Sequence, residues 1–205
     1  MKTFIAALAP GLFQGMPNAR QIAGMNIILK ATEGLPIRHR AYLLSTTLHE
    51  TARTMEPIHE RGGHAYFDKY EPNTRIGKRL GNTRRGDGFL FRGRGYVQIT
   101  GRANYLRASQ ELGVDLVAHP DRALEPEIAA RILVKGCTEG WFTGKSLDDY
   151  DSYTDMRRVV NGTDRAAQIA DYARDFEAAL VAMDKPPVKA PRRGFWDMLW
   201  AFIQR

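Results

Sequence analysis

Phe91-Arg92-Gly93-Arg94-Gly95-Tyr96-Val97-Gln98-Ile99-Thr100-Gly101-Arg102-Ala103-Asn104-Tyr105 runs a pair of glycines into a row of neutral polar side chains. Upstream stands a second telling stretch, His49-Glu50-Thr51-Ala52-Arg53-Thr54-Met55-Glu56-Pro57-Ile58-His59-Glu60. Its acids follow an apolar, helix-patterned segment. The apolar, β-branched pattern from Phe89 to Thr100 makes this the best strand of the chain, predicted as a short hairpin. Everything around it reads as helix or loop, so the predicted fold is mainly α.

Working outward, Asn18 can cap a helix from about Ala19 to Thr32, with Ile22, Met25, Ile28 and Leu29 on one face. Gly34 and Pro36 mark its end. Arg38 to Arg53 reads as the next helix, with Ala41, Leu44, Thr47 and Leu48 inward and Glu50 in its last turn. From Glu60 to Phe91 the pattern dissolves into loop with short helical pieces, and such loops are often functional. Ala103 to Leu112 is a helix closed by Gly113. Further helices are predicted from Pro126 to Lys135, from Tyr150 to Val160, and from a cap at Asp164 to about Met183. The predicted domain is 1–184, followed by a basic Pro-rich linker at 185–193 and an amphipathic aromatic helix at 194–205.

The chain has 205 residues and a hydrophobic content of 43%, enough for one well-filled core. One cysteine excludes a disulfide framework and a cysteine-based zinc site. The first residues, Met1 to Pro10, have a short apolar run that Pro10 ends. They read as the first helix of the fold rather than a signal peptide. No run reaches the roughly 18 apolar residues of a membrane-spanning helix.

The net charge of +7 points either to solubility or to a polyanionic partner. Arg75, Lys78, Arg79, Arg84, Arg85, Arg92, Arg94 and Arg102 have almost no acid near them in sequence except Asp87. A second basic group is Lys185, Lys189, Arg192 and Arg193. Nucleic acid is nonetheless disfavoured. No Gly-Lys-Ser/Thr follows the glycines, so they form no P-loop. Val97 and Gln98 break the RNA-binding strand pattern that Arg94-Gly95-Tyr96 begins. Zinc is also disfavoured. His49, His59 and His64 are the available ligands, but position 53 is Arg, where a zinc-protease helix needs its second His.

Acids facing amides, hydroxyls and aromatics fit a sugar-cleaving cleft. Carboxyls transfer protons, while amides and hydroxyls hold sugar hydroxyls and N-acetyl groups. Glu50 is the first candidate acid, and either Glu60 or Glu56 can be the second. Glu60 heads the polar loop, where a water-activating base is expected. Glu56 sits before the turn at Pro57.

Three pieces together resemble glycoside hydrolase family 19, the chitinase-like lysozymes, and especially its phage endolysin branch. They are His49-Glu50-Thr51, the run from Gly93 to Thr100 with Asn104-Tyr105, and Val160-Asn161-Gly162. The resemblance spans Phe4 to Met183. It implies a lysozyme-like fold of two helical lobes around a cleft, with a small β hairpin near 89–100. It implies Glu50 as general acid, Glu60 rather than Glu56 as second carboxylate, and Thr100 as holder of the water. His49, Tyr96, Gln98, Asn104 and Asn161 become substrate contacts. The implied reaction is inverting hydrolysis of β-1,4 bonds in peptidoglycan glycan strands, without metal or cofactor, by a monomer. Chitin hydrolysis by the same machinery and a silent wall-binding protein are the alternatives. The endolysin branch further implies synthesis in a bacterial host's cytoplasm and action on the wall after release. The aromatic tail, flanked by arginines, is expected to contact anionic membrane or lipopolysaccharide, or else to pack on the domain.

Overall fold

The computed structural model describes residues 1–8 and 10–184. The linker and tail expected at 185–193 and 194–205 lie outside the described residues. The chain is mostly helical, with α1 at Lys2–Ala7, α2 at Ala19–Ala31 and α3 at Ile37–Glu50. A two-residue strand, β1, follows at Ile58–His59. Three short helices come next: α4 at His64–Phe67, α5 at Arg75–Arg79 and α6 at Asp87–Leu90. Strand β2 is Arg94–Gly95 and leads into α7 at Arg102–Leu112. The remaining helices are α8 at Pro126–Thr138, α9 at Tyr153–Met156 and α10 at Ala166–Asp184.

Helix α3 is the axis of the molecule. Ala41 to Leu48 are all buried, including Ser45, Thr46 and Thr47, as expected of a helix enclosed on every side. Its principal partner is α10, with α1 laid against the other side of α10 through stacking of Phe4 on Phe176 at 6.4 Å. Helices α2 and α8 pack together nearby. The α4–α6 segment forms a smaller group of its own, where Phe67 meets Phe89 edge-on at 5.6 Å.

Helix boundaries follow the sequence closely where caps are local. Asn18 accepts from the Gln21 backbone N–H at 3.0 Å, and Gln21 Oε1 accepts from the Asn18 N–H at 2.8 Å, a complete capping box. Gly113 ends α7 in the left-handed region at φ 66°. Several boundaries differ from expectation: the helix expected from Tyr150 to Val160 is α-helical only at Tyr153–Met156, with a 3-10 turn at Arg157–Val159, and α8 runs on to Thr138. Helix α3 stops at Glu50 rather than Arg53, because Ala52, Arg53 and Met55 all take positive φ. Helix α10 starts at Ala166, beyond the expected cap Asp164, because Arg165 sits at φ 56°.

The predicted hairpin also differs. Residues 87–90 are helical, and β2 pairs antiparallel with β1, Ile58 opposite Gly95 and His59 opposite Arg94. Within the predicted segment only Arg94 and Ile99 face each other, as a single bridge. The turn between them needs Gly95 at φ 87° and Gln98 at φ 56°, which ends regular pleating.

Candidate active site

Glu50 is the last residue of α3, where the enclosed helix reaches open space. Its side chain is 19% exposed, and its Oε1 accepts from Arg157 Nη1 at 2.7 Å. Arg157 follows α9 and is only 2% exposed; its Nε–H also holds the Asp164 carbonyl at 3.1 Å. A charge so enclosed demands a partner, so the guanidinium fixes the carboxylate in place. Cys137 lies fully buried, and burial pushes its thiol well above the ordinary range.

Glu50 opens on a cleft of about 770 Å³. Arg79, Leu80, Val97, Gln98, Thr100 and Asn104 line one part of it. This wall is continuous, because Ala103 N–H donates to the Leu80 carbonyl at 3.2 Å and so ties the end of α5 to the start of α7. The rest is lined by Trp141, Phe142, Thr143, Lys145, Tyr150, Arg158, Val160, Asn161 and Gly162. This wall too is tied, by Thr143 Oγ1 donating to the Arg158 and Val159 carbonyls at 2.8 and 3.0 Å. Five predicted site residues, Glu50, Gln98, Thr100, Asn104 and Asn161, therefore share one cleft.

Their polar atoms are arranged by the local turn. Gln98 Nε2 donates to the Ile58 and Gly95 carbonyls at 2.9 and 3.1 Å, leaving its Oε1 uncommitted. Thr100 Oγ1 donates to the Gln98 carbonyl at 2.8 Å, so its lone pairs stay open to a donor. Asn104 Nδ2 donates to the Thr100 carbonyl at 2.8 Å. Gln98 keeps a left-handed backbone without being glycine, a strain of the kind concentrated at working sites.

Glu60 does not line the cleft itself; it stands behind Gln98. Its Oε1 accepts from Tyr70 Oη at 3.0 Å and lies 3.8 Å from Lys69 Nζ. Its Oε2 accepts from the Gly93 N–H at 3.1 Å. A side-chain carbon added to Gly93 would fall 2.9 Å from Gln98 Oε1 and 3.1 Å from Glu60 Oε2. Only glycine lets the amide and the carboxylate share this space. Burial, then the Glu60 charge, raises the Tyr70 hydroxyl above its ordinary range and keeps it a donor. Glu56 is half-buried and lies on the Tyr96 side, where its charge helps raise the Tyr96 hydroxyl after the dominant effect of burial.

The structure places His49 and Tyr96 elsewhere. His49 lines a separate cavity of about 320 Å³ with Arg53, Gln168 and Tyr172. Neighbouring helical residues project about 100° apart, so His49 and Glu50 face different ways. Burial lowers the His49 pKa against the pull of the adjacent Glu50. Tyr96 is 1% exposed and belongs to the core. The break in alternation at Gln98 sends Val97 and Gln98 to the cleft and Tyr96 inward. His64 stacks on Phe89 at 3.6 Å and His59 sits on β1, so the three histidines do not converge. Among the described residues, no group of three or more His, Cys, Asp or Glu is placed to hold a metal ion. No helix there is long and apolar enough to cross a membrane.

Sequence reasoning missed Arg157, which resembles its neighbour Arg158 in every local respect. It also missed Trp141, a largely buried residue at the cleft whose Nε1–H donates to Glu139 at 2.9 Å.

A mostly helical domain carrying one polar cleft with a helix-end carboxylate has a lysozyme-like fold, and it is shared with family 19 chitinases. Chitinase C from Streptomyces griseus HUT6037 is similar, with a TM-score of 0.62 and 19% identity over 88% of this chain and 75% of that one. A second bacterial family 19 chitinase gives 0.60 and 19% over 92% and 96%. A class IV family 19 chitinase from Zea mays gives 0.54 and 16% over 87% and 91%. No family model matches the sequence, and no curated protein matches it.

Proposed function

We propose that this protein is a glycoside hydrolase that cuts β-1,4 bonds of bacterial peptidoglycan by inversion, in the manner of a phage endolysin. The observation that carries the reading is Glu50, held by a buried arginine and opening on a cleft where it is the one carboxylate among amides, hydroxyls and three cations. The fold shared with the named chitinases supports glycan as the substrate class.

Glu50 first takes up a proton from solvent and passes it to the leaving glycosidic oxygen. The carboxylate that results is met by the Arg157 guanidinium already in contact with it. Glu60 is the base that activates water on the opposite sugar face, an arrangement that needs about 6.5–9.5 Å between carboxyls. Its ties to Tyr70, Lys69 and Gly93 hold its carboxyl beside Gln98. Thr100 accepts from that water, and Gln98, Asn104 and Asn161 hold the sugar's hydroxyl and N-acetyl groups. Tyr150, half-buried at the cleft, offers ring surface to a sugar face.

Action on the wall after synthesis in a host cytoplasm is part of this proposal, as is a monomeric state. Mass spectrometry of purified peptidoglycan digested in EDTA tests it. Products with new reducing ends and intact peptide stems are expected. Cleaved amide bonds or an undigested polymer would overturn it, and digestion of chitin alone would favour the chitinase reading.

A further inference from the structure

The charge of the cleft is lopsided. Its lining carries three cations, Arg79, Lys145 and Arg158, and one carboxylate, Glu50. That carboxylate is already matched by Arg157 behind it. Arg79 and Lys145 are exposed and form no ion pair among the described residues. Arg158 has only a loose contact, with Asp155 at 3.6 Å, in which both side chains are about half exposed. Other exposed cations among the described residues, such as Lys2, Arg20 and Lys30, also form no ion pair, but they do not line the cleft, and the most enclosed cations are matched. Arg94 is paired with Asp121 at 2.8 Å and Arg102 with Asp87 at 2.6 Å. The weakly paired cations of the cleft belong to both of its walls, Arg79 at the end of α5 to one and Lys145 and Arg158 to the other. Arg75 and Lys78, exposed on the same short α5, extend the positive field outward from the rim.

Uncompensated like charges around a concave surface repel each other and raise the local concentration of anions. A neutral polysaccharide takes only hydrogen bonds from them. A strand bearing carboxylates gains charge attraction as well.

We infer that Arg79, Lys145 and Arg158 are specificity-determining residues that receive carboxylates hanging from the glycan, so the cleft selects an anionic strand over a neutral one. In peptidoglycan those carboxylates are the free acids of the peptide stems. This rests on the hydrolase reading above and deepens it by naming the residues that recognise the acid groups of the strand. No covalent step is added; the cations act on binding and steering.

The test compares one polymer in two charge states. Purified peptidoglycan is used as it is and after its carboxyl groups have been converted to neutral amides, which leaves every glycosidic bond intact. Release of reducing ends is measured for the wild-type chain at low salt and again as salt is raised. We expect kcat/KM to be about tenfold lower on the amidated polymer at low salt, with the gap closing as ions screen the cleft. The triple variant Arg79→Gln, Lys145→Gln, Arg158→Gln, checked for native circular dichroism, should treat the two polymers nearly alike. A charge-matched control, Lys2→Gln, Arg20→Gln, Lys30→Gln, alters exposed cations away from the cleft and should keep the wild-type preference. Equal wild-type rates on both polymers, or an undiminished preference in the triple variant, would overturn the inference while leaving hydrolysis standing. A wild-type chain that releases ends from neither polymer would bring down the hydrolase reading and this inference with it.

Discussion

Removing Arg157 while keeping its bulk probes how the candidate acid is held. In Arg157→Met the apolar stem is retained and the charge is lost. A buried pair broken from one side typically costs about 3–5 kcal/mol. Here Glu50 is 19% exposed, so water takes up part of the orphaned charge and the cost falls to about 1–3 kcal/mol. The Asp164 carbonyl also loses its donor, which adds about 1 kcal/mol. The total of about 2–4 kcal/mol corresponds to a drop in Tm of roughly 4–16 °C for a chain of this size. Glu50→Gln should cost less, about 1–3 kcal/mol, because an amide oxygen still accepts from Arg157. Its turnover should nevertheless fall by about 10²–10⁴-fold or more. The double variant should be less destabilised than the two single changes added together, by at least about 1 kcal/mol. Thermal melts by circular dichroism and reducing-end release from purified peptidoglycan provide the readouts. Strictly additive stability losses would show that the pair does not act as a unit. A folded Glu50→Gln protein with near-wild-type turnover would remove Glu50 from the acid role.

Four further outcomes are expected. Glu60→Gln should lower turnover by about 10²-fold or more while Glu56→Gln changes it little; an inactive Glu56→Gln protein would reverse the assignment. Gly93→Ala forces Gln98 and Glu60 apart and should cut activity at least tenfold with only a modest loss of Tm, so a fully active variant would contradict the shared-space geometry. His39, His49 and His59 all titrate below the ordinary 6.5, first because burial disfavours the charged ring. The unfolded chain therefore binds protons before the folded one as pH falls through 6.5, and stability present above that point is lost below it. Tm should drop between about pH 7 and about pH 5, and His39→Gln should flatten the slope; a flat wild-type profile would count against it. Deleting residues 186–205 should spare hydrolysis of purified peptidoglycan and weaken binding to anionic vesicles; equal vesicle binding would dismiss a membrane role for the tail.

Most of the helical framework could be read from the chain because its signals are local. Asn18 with Gln21, the apolar rows of α2, α3 and α8, and Gly113 each act within a turn or two. The strand pairing could not be read, because β1 and β2 are two residues long and meet across a long loop. The site divided the same way. Gln98, Thr100 and Asn104 lie in one compact run, so their convergence was visible in the spacing. Arg157 was invisible, because what separates it from Arg158 is burial against a residue 107 positions away. His49 and Tyr96 were misplaced by adjacency, since neighbours in sequence often face opposite sides of the backbone.

That long separation has a bearing on when, during synthesis, the cleft can be completed. Translation delivers Glu50 early and its counter-ion late, after roughly half the chain has followed it out. Until the segment around α9 emerges and docks, α3 ends in a carboxylate with no fixed orientation, and one wall of the cleft does not yet exist. A chain that stops before α9 therefore lacks both the counter-ion of Glu50 and one wall of the cleft.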